Sequence, residues 1–145
     1  MRIRLAIFNH VNTNGRVYVA ESKEEIQKLF NKSEYFLTGF SGDDNPDLNV
    51  EEKLKKSATV KLQDTVGIFK NLEIVETGDI GVGDLPIFEV YGELKVFENP
   101  GGKVFEESYN QNIVTIGMRS LGKKVDLYLP NFKIDKVICW DTIIR

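Results

Sequence analysis

The sequence is short of the residues that most protein chemistry uses. It has one cysteine, one histidine, one tryptophan and four prolines in 145 residues. A lone Cys139 excludes an internal disulfide. With His10 as the only imidazole, far away in sequence, a zinc site of histidine and cysteine ligands finds little support. Cys139 stands in the apolar run Val137-Ile138-Cys139-Trp140 and reads as a small buried hydrophobe. No apolar run approaches the roughly 20 residues that cross a bilayer. The opening Met1-Arg2-Ile3-Arg4-Leu5-Ala6-Ile7-Phe8 alternates too regularly, and is too short, for a signal peptide; it reads as a strand. Charge of one sign is also scarce. The net charge is −3, against the basic footprint of a general nucleic-acid binder. These features fit a reducing intracellular compartment.

What is present is enough for one folded domain spanning residues 1–145: 41% hydrophobic and 28% charged residues, with no repeat, low-complexity tract or linker. Asn12-Thr13-Asn14-Gly15 predicts a turn, because Asn and Gly tolerate positive φ. Arg16 to Ala20 follows as a short extended piece. Ser22, with Glu25 three residues on, predicts a capped helix whose Ile26, Leu29 and Phe30 share a face. Tyr35 to Phe40 reads as a strand and Val50 to Lys56 as one or two helical turns. From Ser57 onward strands dominate: Ala58 to Leu62, Val66 to Val75, Ile87 to Phe97, Ile113 to Met118, Val125 to Leu129 and Phe132 to Ile144. Phe88, Val90, Gly92, Leu94 and Val96 fall on one face. Asn99-Pro100-Gly101-Gly102 reads as a turn, with a short helix over Val104 to Asn110. The pattern is that of an α+β, β-dominated domain.

Candidate sites are few. Asp43-Asp44-Asn45-Pro46-Asp47 is acidic but lacks EF-hand spacing and a closing glutamate, and reads as a solvated turn. Gly78 to Gly83 has glycines but no phosphate-loop lysine, and reads as a hairpin connection. His10 is the one side chain suited to base work near neutral pH, yet no nucleophile motif accompanies it. Ser120, in Ile116-Gly117-Met118-Arg119-Ser120-Leu121-Gly122, is the best nucleophile candidate. Flanking glycines leave room for a substrate backbone, though most such serines simply sit in turns.

Several segments, taken in order, resemble the prohead proteases of tailed bacteriophages, of the T-even-phage type. Asn12-Thr13-Asn14-Gly15-Arg16-Val17-Tyr18 resembles the family's N-x-N-G-R-x-Y segment, which a helix follows. Gly42-Asp43-Asp44-Asn45-Pro46-Asp47 occupies the place of its G-x-x-H-P-like segment, and Ser57-Ala58-Thr59-Val60 that of its Ser-His strand opening. Tyr91 to Lys103 is similar to its G-x-x-x-I-L-x-T-P-x-G-K stretch, and Ile116 to Gly122 to its G-I-S-S-R-G nucleophile segment. Phe132-Lys133-Ile134-Asp135-Lys136-Val137 resembles its terminal strand.

The resemblance implies a barrel-like β core with peripheral helices, as in the prohead and herpesvirus-type assembly proteases. It also exposes departures. Ala58 stands where the family carries its catalytic histidine, and the serine pair has become Arg119-Ser120; Asp135 matches the acidic third member. A serine needs a neighbouring base, which a methyl group does not replace. The expectation is therefore no catalytic residue, Ala58, Arg119, Ser120 and Asp135 being degenerate positions, and no cofactor or metal. The implied function is a virion or capsid-assembly protein, a pseudoprotease acting through protein–protein contacts. Its expected partners are capsid, portal or scaffold proteins in a symmetric assembly, with no membrane and no specific nucleic acid, assembled in the host cytoplasm. The alternative is an active maturation protease with Ser120 as nucleophile, Asp135 as orienter and Ala58 as an engineered knockout. A small cellular β-domain without a viral role is a third.

Overall fold

Alternation of apolar and polar residues organises most of the chain into strands. A computed structural model describes residues 1–40, 60–126 and 129–145. The elements are β1 (Arg2–Phe8), β2 (Val17–Tyr18), α1 (Lys23–Leu29), β3 (Glu34–Phe40), β4 (Thr65–Ile80), β5 (Pro86–Val96), α2 (Pro100–Asn110), β6 (Val114–Lys124) and β7 (Asn131–Ile144). Six strands close a barrel in the order β1-β5-β4-β3-β7-β2 and back to β1. The β-dominated barrel with peripheral helices expected from the sequence is the fold observed.

Closure depends on the long β7. Its start pairs in parallel with β2, through Val17↔Asn131 and Tyr18↔Phe132. Its end pairs in parallel with β3, through Leu37↔Trp140 and Thr38↔Asp141. The opposite edge of β7 carries β6 as an antiparallel hairpin from Val114↔Ile144 to Lys124↔Phe132. The barrel interior is filled around Trp140, which has no exposed surface. Tyr35 and Phe69 meet it edge-on at 5.6 Å and Phe30 stacks on it at 6.1 Å. The indole N–H is satisfied inside the core by donating to the Leu5 carbonyl at 3.0 Å. Leu5 sits at a bulge between β1 and β5.

Local signals were realised where they name a mechanism. The Asn12 side chain accepts from the backbone N–H groups of Asn14 and Arg16, and Gly15 takes φ +74. The Ser22 hydroxyl caps α1 by accepting from the Glu25 N–H at 3.2 Å. The Glu25 carboxylate reaches back to the N–H of Glu21 rather than to that of Ser22. On β5, Phe88, Val90, Gly92 and Leu94 are buried and Val96 is half-buried, the single face that the alternation predicts.

Three expectations need correction. Asn99-Pro100-Gly101-Gly102 is the first turn of α2 and not a free turn. The Asn99 side chain accepts from the Gly102 N–H at 2.7 Å, and Pro100 occupies a position where its missing N–H costs nothing. Leu62 lies in a 3₁₀ turn, Leu62–Asp64, with 70% of its surface exposed, so no strand runs through it. Val125, Asp126 and Leu129 belong to the connection between β6 and β7; Val125 and Leu129 are exposed, and apolar composition alone misled there. Ala58, the acidic segment 43–47 and the helical turns expected over 50–56 lie outside the described residues.

Candidate functional site

The β6–β7 hairpin positions the residues on which the sequence reading turned. Register pairs Arg119 with Cys139, and Ser120 with Val137, across a bulge. Asp135 lies at a second bulge, between Leu121↔Lys136 and Gly122↔Ile134, and is exposed. Ser120 is half-buried, and among the described residues its hydroxyl is hydrogen-bonded to no carboxylate or imidazole. His10 is exposed in the bend that follows β1. Ser120, Asp135 and His10 are not brought together by any described contact.

Arg119 is instead drawn to Asp141, a residue that sequence reasoning did not single out. Along β7, Cys139 and Asp141 alternate with the core residue Trp140, which places them on the outer face of the sheet together with Arg119. The guanidinium grips the carboxylate with both arms: Nε donates to Oδ2 at 2.9 Å, and Nη2 donates to Oδ1. Thr38 of β3 adds its hydroxyl as a donor to Oδ1 at 2.5 Å. The Arg119 and Asp141 side chains are 20% and 15% exposed, so the pair is largely withdrawn from water. The cluster thus stitches three neighbouring strands, β6, β7 and β3.

The electrostatics follow from this geometry. The hydrogen bond to Asp141 raises the pKa of Arg119 above its ordinary value, so the guanidinium is a fixed charge. The Cys139 thiol lies 3.8 Å from Asp141 Oδ1. Burial first, and then the Asp141 charge, pushes its pKa up to about 12. A thiol so held is protonated at neutral pH and is a poor nucleophile. The carboxylate has its oxygens committed to Arg119 and Thr38, which leaves it poorly placed to serve as a general base. The arrangement is suited to holding strands in register and ill suited to moving protons. The signal in the sequence was an acid inside the apolar run Ile138-Cys139-Trp140-Asp141-Thr142-Ile143: a half-buried acid in a strand needs a cationic partner.

Among the described residues there is no group of three or more His, Cys, Asp or Glu side chains able to hold a metal ion. A second feature is a slot of about 440 Å³ between β1 and β6, lined by Met1 to Ile7, Thr115 to Met118, Tyr109 and neighbouring residues. No protein-family model matches this sequence, and no curated protein and no solved structure matches it either.

Proposed function

We propose that the chain is a phage virion or capsid-assembly protein that uses a prohead-protease-like scaffold for protein–protein contacts and cleaves nothing. The observation that carries this reading is the engagement of Arg119. In the resemblance, this position belongs to the serine pair of the nucleophile segment. Here it holds a guanidinium bound in two places by Asp141. A serine nucleophile depends on a base and an orienting acid within hydrogen-bond reach. Ser120 has neither among the described side chains, and Asp135 faces solvent at a separate bulge. The order of the resembling segments, from Asn12-Thr13-Asn14-Gly15-Arg16 to Asp135, supports the lineage; Ala58 and Arg119 support the loss of chemistry.

The test is incubation of the purified chain with the scaffold and capsid precursors of the phage that encodes it. The expected result is co-sedimentation with assembling shells and no cleavage. Cleavage that disappears in Ser120→Ala would overturn the reading in favour of an active maturation protease.

A further inference from the structure

We draw no further inference here: the strongest candidate, the apolar pocket of about 470 Å³ between α2, the start of β6 and the end of β7, lined by Val66, Val104, Phe105, Ile113, Val114 and Ile144 among others, carries nothing because nothing in the structure shows what covers it.

Discussion

Removing the Asp141 carboxylate is the sharpest perturbation that the barrel wall offers. Asp141→Ala takes both hydrogen bonds to Asp141 away from Arg119 and one acceptor from Thr38. Breaking a fully buried ion pair costs about 3–5 kcal/mol. The side chains here retain 20% and 15% exposure, so solvent screening reduces that to about 2–3 kcal/mol. Thr38 has a second acceptor in the Gly39 carbonyl at 3.1 Å, so its hydroxyl adds little. Arg119→Met leaves the carboxylate without its cation and costs a similar amount. Arg119→Met/Asp141→Leu removes both charges at once and costs about 1 kcal/mol or less, because a buried pair replaced by apolar groups is often neutral. The coupling in the double-mutant cycle is then about 3–5 kcal/mol. Urea unfolding read by the fluorescence of Trp140, the one tryptophan of the chain and fully buried, measures all four proteins. Each single variant shifts the midpoint by roughly 1–2 M. Additive losses in the double variant would refute the view that Arg119 and Asp141 stabilise the hairpin as a unit.

The remaining predictions concern other buried polar groups. The Cys139 thiol is held protonated in the fold, its pKa raised from 9.0 to about 12. Its stabilising contribution is complete below pH 9 and is lost as pH rises toward 12, at about 1.4 kcal/mol per pH unit. The difference in alkaline stability slope between wild type and Cys139→Ala isolates this from the tyrosines and lysines, and equal slopes would contradict it. Asn9 is fully buried at φ 66; its Nδ2 donates to the Ala20 and Pro86 carbonyls, and its Oδ1 accepts from the Ala20 N–H. Asn9→Ala leaves these groups unmatched and costs about 3 kcal/mol or more in the same urea assay; a loss below 1 kcal/mol would show that water takes over the three bonds.

Local chemistry was the legible part of this fold. Ser22 and Glu25 announce α1 because capping needs only neighbours three residues apart. The β5 face is visible because burial on one side of a sheet imposes a period of two. Asn99-Pro100-Gly101-Gly102 was misread because proline and glycine serve both turns and helix starts. What decides is whether the asparagine side chain caps the following N–H groups, as it does here. Exposed Leu62, Val125 and Leu129 show the limit of composition: an apolar residue does not make a strand without a partner edge. In the Arg119–Asp141–Thr38 cluster the acid within an apolar run was a legible signal, but its partners were not. Its members are brought together by strand register, with Thr38 and Asp141 103 residues apart in sequence. Closure of the barrel through the two-residue β2 is likewise a matter of long-range pairing.

The proposed role has one most direct measurement, the copy number of the intact chain in purified mature particles of the phage that the proposal implies, counted by quantitative mass spectrometry against the major capsid protein. A contact-making assembly protein predicts that residues 1–145 are present uncleaved, at a fixed ratio set by the symmetry of the shell. Absence from mature particles, combined with processed capsid precursors that remain uncleaved when the gene carries Ser120→Ala, would contradict it.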